Sequence, residues 1–248
     1  MNPTWQILRT NSIPSTNVYA LSMISKNKAE DGMVVITNDQ TAGKGQGKNY
    51  WESKPGENLT FSIIVKPKGL QPSKQFMLNK ITSLAVYDFV NSEISTGLTS
   101  IKWPNDVYVG NKKIAGILIS NIILGNEISW AVVGTGININ QVKFERDAPN
   151  PVSLKLINSL TYNLENCLER VLHFFDLRLK QLLEFDFKSI DSDYLNKLYR
   201  KGISTDFIYE NRKLNATITG IGEFGHLILQ SEDGETIMCD QREIKMIL

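Results

Sequence analysis

Residues 107–133, VYVGNKKIAGILISNIILGNEISWAVV, decide the architecture. Val- and Ile-rich runs are punctuated by Gly110-Asn111 and Gly125-Asn126, so 107–109, 114–120 and 128–133 read as successive antiparallel strands. Working outward, 33–37 is β-prone, and Leu59, Phe61, Ile63 and Val65 alternate with more polar neighbours as in a half-buried strand. Ser15 suits the N-cap of a short helix carrying Val18, Leu21 and Ile24. After Pro72-Ser73, Met77, Ile81, Leu84, Ala85 and Phe89 share one helical face. The spacing Leu164, Leu168, Val171, Leu172, Phe175, Leu179, Leu182 predicts a long helix over 164–185, packed across the sheet. The expected fold is therefore α+β, a mixed β-sheet with helices over residues 1–192. Beyond the acidic stretch 186–193, short β-prone runs at 206–209, 216–219, 227–229 and 236–239 predict a separate small β-barrel over 193–248.

The chain has 248 residues, 42% of them hydrophobic and 21% charged, an ordinary globular composition with mass for a full core and a small extra module. With 27 basic against 26 acidic residues, its net charge of +1 supplies no global field for nucleic acid or an anionic membrane, so neither is an expected partner. Cys167 and Cys239 form no CxxC pair, and with His173 and His226 alone there is no zinc-type ligand cluster; no metal ligand is assigned to a protein side chain. Both cysteines read as packing residues and His173 as structural. The amino-terminal stretch lacks an apolar core followed by a cleavage site, and no apolar run reaches bilayer-spanning length, so a cytoplasmic location is expected.

Residues 40–51, QTAGKGQGKNYW, follow a strand and interleave three glycines with two lysines. Gly43, Gly45 and Gly47 allow close approach of backbone N–H groups to a bound anion, and Lys44 and Lys48 supply charge. A surface turn explains the same residues. The loop does not fit the Walker pattern GxxxxGK[ST], which argues against a P-loop NTPase. GIGEFG at 220–225 matches GxGxxG formally, but HLILQ after it predicts a strand where a dinucleotide site needs a helix, so these glycines are expected to turn a hairpin.

Three further segments flank the loop: STN at 15–17, KWPND at 102–106 with AGIL at 115–118, and GTGININ at 134–140. Each alone is explained by a helix cap, a proline turn or a strand end. Together and in this order they resemble the biotin protein ligase family, over nearly the whole chain. The resemblance implies a mixed-sheet catalytic domain related to class II aminoacyl-tRNA synthetases, with a carboxy-terminal SH3-like barrel. It implies that the carboxylate of biotin attacks the α-phosphate of ATP, as its Mg2+ complex, giving biotinyl-AMP, and that a lysine of a biotin carboxyl carrier protein then takes the biotinyl group. Such chemistry needs positioned cations and no covalent enzyme intermediate, which agrees with the missing nucleophile triad.

Carried over position by position, Lys102 would contact both carboxylate and α-phosphate as the catalytic residue. Ser15, Thr16, Asn17 and Gln40 would hold the biotin head, with Gly43, Lys44 and the Gly116 backbone completing that pocket. Lys44, Gly45, Gln46, Trp51 and Asn138 would meet ATP or the adenylate. The family loop commonly reads GRGxxG; here Lys44 replaces an arginine, and Lys44 and Lys48 are expected to share the arginines' work. With STN at 15–17, no helix-turn-helix domain is expected ahead of it, hence no repressor function. A lipoate ligase of the same superfamily and a catalytically inactive biotin binder are the alternatives. The strand 114–120 is a candidate dimer edge, compatible with a monomer or a homodimer.

Overall fold

Successive residues along each strand point to opposite faces: Val34, Ile63 and Val133 enter one apolar core, Val35, Ile64 and Val132 the other. A sheet buried on both sides follows from that pattern. The computed structural model describes residues 5–47, 49–94, 97–145 and 150–247. Among them the larger sheet contains β1 (Gln6–Ile13), β2 (Met33–Gln40), β3 (Leu59–Val65), β4 (Thr99–Lys102), β5 (Asp106–Val109), β6 (Lys112–Leu124) and β7 (Glu127–Ile137). Its order is β1-β2-β3-β7-β6-β5-β4, with β1 and β2 parallel and every other pair antiparallel. The three strands expected from 107–133 are β5, β6 and β7. The suggested edge at 114–120 is partly interior, since residues 112–116 of β6 pair with β5 on one side while 115–124 pair with β7 on the other.

Helix α1 (Thr16–Ser25) covers one face through Ala20, and α2 (Phe76–Glu93) covers the other. All seven residues of β3 are buried, not half of them, because both its faces are covered. After the short α3 (Leu154–Asn158) comes α4 (Leu164–Leu183), which packs chiefly on α2 and only marginally on β3, forming an outer layer and not a crossing of the sheet. Sandwiched this way, α2 is buried nearly all round, and each fully covered Leu78, Ile81 or Leu84 contributes about 1.5–3 kcal/mol.

The acidic stretch expected to be a boundary is helical. Asp186 caps α5 (Phe187–Asn196) by accepting from the Ser189 N–H at 3.3 Å, and Ile190 and Tyr194, four apart, are fully buried. Arg178 of α4 joins this layer, with Nε 2.9 Å from Asp88 Oδ2 on α2 and Nη1 2.6 Å from Asp193 Oδ2 on α5. Arg178→Met should leave two part-buried carboxylates without their cation and lower the urea-unfolding free energy by about 2 kcal/mol; an unchanged midpoint would mean that water already satisfies both acids.

The carboxy-terminal strands are β8 (Ser204–Tyr209), β9 (Arg212–Ile221), β10 (Leu227–Ser231), β11 (Thr236–Cys239) and β12 (Ile244–Met246), in the order β11-β10-β9-β8-β12. The end strands β11 and β12 do not pair with each other among the described residues, so this is an open antiparallel sheet, consistent with an SH3-like unit but not a closed barrel. Residues 220–225 lie at the end of β9 and in the turn to β10, where Gly225 takes φ +94° and donates to Gly222 O at 2.9 Å, a hairpin and not a nucleotide fingerprint. Cys167 and Cys239 are buried, and burial pushes both thiols up to about 11, out of the reactive range. Among the described residues no helix is long and apolar enough to cross a membrane.

Candidate functional site

Two side chains lie flat against the sheet, and glycines make the room. A Cβ at Gly134 would fall 2.2 Å from Asn17 Oδ1, and one at Gly136 would fall 2.2 Å from Trp51 Cε2. Gly116, the register partner of Gly136 on β6, also sits beneath the indole, with Trp51 Cζ3 3.1 Å from its Cβ position. The glycines of AGIL and GTG are thus a floor on which Asn17 and Trp51 rest.

Helix α1 departs from its expected amphipathicity. Its buried residues are Thr16, Asn17 and Ala20, whereas Val18 is 45% exposed. The polar first turn faces inward because it walls a cavity of ≈ 130 Å³ also lined by Ser15, Gln40, Thr60 and Gly116. Ser15 holds the extended N-cap position, φ −160° and ψ 132°, yet makes no side-chain capping bond, so its hydroxyl is not spent on the helix. Gln40 Oε1 accepts from the Thr16 N–H at 3.0 Å, and the Thr16 hydroxyl lies 3.3 Å from the same oxygen. That fixes the amide and turns Gln40 Nε2 toward Gly43, whose Cβ position lies 2.8 Å from it. Asn17 Nδ2 donates to Leu118 O at 2.8 Å. Behind both stands Ser62, its Oγ 2.6 Å from Asn17 Oδ1 and 2.8 Å from Thr16 Oγ1.

The glycine loop folds as a narrow hairpin over this cavity. The Trp51 N–H donates to Gly43 O at 3.0 Å and the Gly45 N–H to Asn49 O at 2.8 Å, while Lys44 bridges to Tyr50. Lys44, Gly45 and Gln46 line the cavity, and Gln241 Nε2 of the carboxy-terminal unit donates to Gln46 Oε1 at 2.6 Å. Lys48 lies outside the described residues.

A larger cavity of ≈ 640 Å³ adjoins the first, sharing Trp51, Asn105, Asp106 and Lys113 with it. Lys102, Asn138 and Tyr108 wall it from the large sheet, and Phe207, Ile218, Leu227, Ile244 and Lys245 from the small one. Asn138 Nδ2 donates to Val152 O at 3.0 Å, whereas its Oδ1 is buried without a partner among the described residues, as is Trp51 Nε1. Asn105 docks the 103–105 turn on β6, donating to Ile117 O at 2.5 Å and accepting from the Ile117 N–H at 2.9 Å. Trp103 Nε1 donates to Gly225 O at 2.8 Å, joining that turn to the small sheet. Lys102 itself is half-buried, Nζ 5.5 Å from the Tyr108 ring centroid. Burial pulls its pKa below the ordinary lysine value, Lys113 and Lys245 push the same way, and Asp106 opposes them.

Ser15, Thr16, Asn17, Gln40, Lys44, Gly45, Gln46, Trp51 and Gly116 therefore share one cavity, and Lys102 and Asn138 share the next with Trp51 between. Gly43 does not line either but underlies the loop's entry. Ser62, Lys113 and Gln241 were not singled out from sequence. A polar residue inside the apolar strand 59–65 was the available signal for Ser62. Among the described residues no cluster of three or more His, Cys, Asp or Glu could hold a metal ion.

Residues 10–138 match the family model described as biotin/lipoate A/B protein ligase family. The bifunctional ligase/repressor BirA of Bacillus spizizenii is 29% identical over 222 residues, 85% of this chain and 65% of that protein, so the chain spans about two thirds of its length. The biotin–[acetyl-CoA-carboxylase] ligase of Paracoccus denitrificans is 26% identical over 229 residues, 90% of this chain and 94% of that one. In fold, the chain is similar to the Aquifex aeolicus biotin protein ligase solved with biotin and ATP, with a TM-score of 0.79, 24% identity and 98% of each chain covered.

Proposed function

Because the chain belongs to the biotin/lipoate A/B protein ligase family, we propose that it activates biotin with ATP as biotinyl-AMP. It then passes the biotinyl group to a lysine of a biotin carboxyl carrier protein. The observation that carries this reading is that the small cavity and the large one meet at Trp51, so a carboxylate held in the first faces a phosphate held in the second. The Paracoccus relative bears the ligase name, and the Aquifex structure holds biotin and ATP.

In this reading the ureido head of biotin, with one acceptor and two donors, meets Gln40 Nε2 and the hydroxyls of Ser15 and Thr16. The apolar-walled cavity takes the nucleotide, its Asn138 Oδ1 offered to a donor of the ligand. The carboxylate oxygen forms a bond to the α-phosphorus as the bond to pyrophosphate breaks. Lys102, which lines the larger cavity, neutralises charge that grows on the phosphoryl oxygens. Loop residues 44–46 and 49–51 cover the mixed anhydride against water until the acceptor amine attacks its carbonyl and AMP leaves. With no acidic cluster among the described residues, Mg2+ would be carried mainly by the nucleotide phosphates and water. We assign the biotin and ATP floor to residues 1–192 and the outer nucleotide wall to 193–248. The dithiolane of a lipoyl substrate would leave Gln40, Ser15 and Thr16 without polar partners, which favours biotin.

The test is pyrophosphate release from MgATP on adding biotin or lipoate, followed by a mass shift on a carrier domain. Release with biotin and a shift of one biotinyl group are expected; silence with biotin sinks the reading. Within the same assay, Ser62→Ala should weaken biotin binding about tenfold, since Asn17 and Thr16 lose the group that orients them, and leave KM for ATP unchanged.

A further inference from the structure

Lys113 reaches the junction of the two cavities through a defect in the sheet. Against β5, Val107 pairs with Ala115 but Tyr108 pairs with Lys113, so Ile114 is an extra residue, a β-bulge. Strict alternation from Gly116, which faces Trp51, would turn residue 113 into the core beside Ala115. With the bulge, Ile114 and Ala115 are both fully buried in the core and Lys113 emerges on the face of Gly116, its Nζ 3.2 Å from the Cβ position there. The freed backbone of Lys113 is held elsewhere: its N–H donates to Asn150 O at 2.8 Å, and its carbonyl accepts from the Val152 N–H at 2.9 Å.

At that point Lys113 Nζ lies 2.7 Å from Asp106 Oδ1 and 5.7 Å from the centroid of the Trp51 ring. Asp106 and Lys113 are the charged residues that border both cavities among the described residues, while Lys44 borders only the small one and Lys102 only the large. The pair is half-shielded, the side chains 24% and 18% exposed. An ammonium here stands between a carboxylate arriving on one side and a phosphate on the other.

Resting on the adenylate-forming reading, we infer that Lys113 is a second charge-neutralising cation of the reaction, paired with Asp106 when no anion is present and moving to the substrate anions when they are. Asp106, the register partner of Lys102 on β4, then remains beside Lys102 and balances it. Two ammonium groups are thereby set at the reacting centre with one carboxylate, so a net positive charge remains where the anions meet.

The experiment measures pyrophosphate burst rates at saturating biotin and MgATP, and biotin affinity without ATP, in wild type, Lys113→Met and Lys113→Arg. Methionine keeps the stem that packs over Gly116 and Trp51 and removes the charge, whereas arginine keeps the charge. The expected result is a burst at least about tenfold slower in Lys113→Met, recovered to within about fivefold by Lys113→Arg, with both variants folded at the assay temperature and biotin affinity falling by less than the burst rate. A Lys113→Met burst slowed less than tenfold, or an arginine variant no faster than the methionine one, overturns the inference while an active wild type leaves the ligase reading standing. A silent wild type overturns both.

Discussion

Lys102→Ala is expected to slow adenylate formation by about 10²–10³-fold, the range for removing one preorganised charge from a developing oxyanion, without destabilising the fold. The two halves of that expectation have one cause. Lys102 is half-buried beside Tyr108, with burial the largest influence and Lys113 and Lys245 adding like charge, so the folded state holds its proton less tightly than the unfolded chain does. Below the folded pKa the buried ammonium therefore costs stability, and that cost is relieved as pH rises toward the ordinary lysine value of 10.5. Removing the side chain at neutral pH should leave Tm equal or higher, the signature of a residue kept for chemistry and not for packing. The same depression sets a pH dependence. In kcat/KM, which reports the free enzyme, the alkaline limb should lie below 10.5, and Lys102→Arg should abolish that limb while retaining part of the rate. A Lys102→Ala variant that releases pyrophosphate at the wild-type rate would transfer the role elsewhere.

Much of this architecture was legible because its signals are local. Gly110-Asn111 and Gly125-Asn126 announce β5, β6 and β7, and the helical spacing of Leu164 to Leu182 announces α4. Errors arose where tertiary contacts override a local pattern. In α1 the inward residues are Thr16 and Asn17 and the outward one is Val18, because the helix walls a polar cavity and not only a core. In β3 the polar positions are as buried as the apolar ones, since Thr60 and Ser62 bond to Thr37, Thr16 and Asn17 beneath α1. The polar run 186–193 hid α5, whose fully buried residues are Ile190 and Tyr194 alone. The bulge at Ile114 is a matter of pairing register, which a single strand's sequence does not carry, so the sequence assigns Lys113 no place in the site. Motif order, by contrast, brought together residues as distant as Thr16, Trp51 and Gly116, which no periodicity could have joined.

Gly136→Ala and Gly134→Ala, two residues apart on β7, are expected to damage different halves of the reaction by large factors. At Gly136 the new methyl would stand 2.2, 2.5 and 2.6 Å from Cε2, Nε1 and Cζ2 of Trp51. Three atoms of a rigid ring cannot all clear it by a small rotation, so the indole must leave the sheet. The loop moves with it, because the Trp51 N–H is bonded to Gly43 O. The wall between the cavities is then lost, and the burst from saturating biotin and MgATP should fall about 100-fold, with overpacking costing about 1–3 kcal/mol of stability. At Gly134 the methyl meets Asn17 instead, 2.2 Å from Oδ1 and 2.6 Å from Cγ and Nδ2. Displacing that amide breaks its bond to Leu118 O and its contact with Ser62, so the polar end of the small cavity loses its frame. Biotin affinity measured without ATP should drop about 100-fold in Gly134→Ala and about tenfold in Gly136→Ala, because Trp51, Lys44 and Gly45 also line the small cavity but Asn17 frames its polar end. Equal losses of biotin affinity in both variants would show that the indole holds biotin as strongly as the Asn17 end does, and the division of the site at its indole would have to be abandoned.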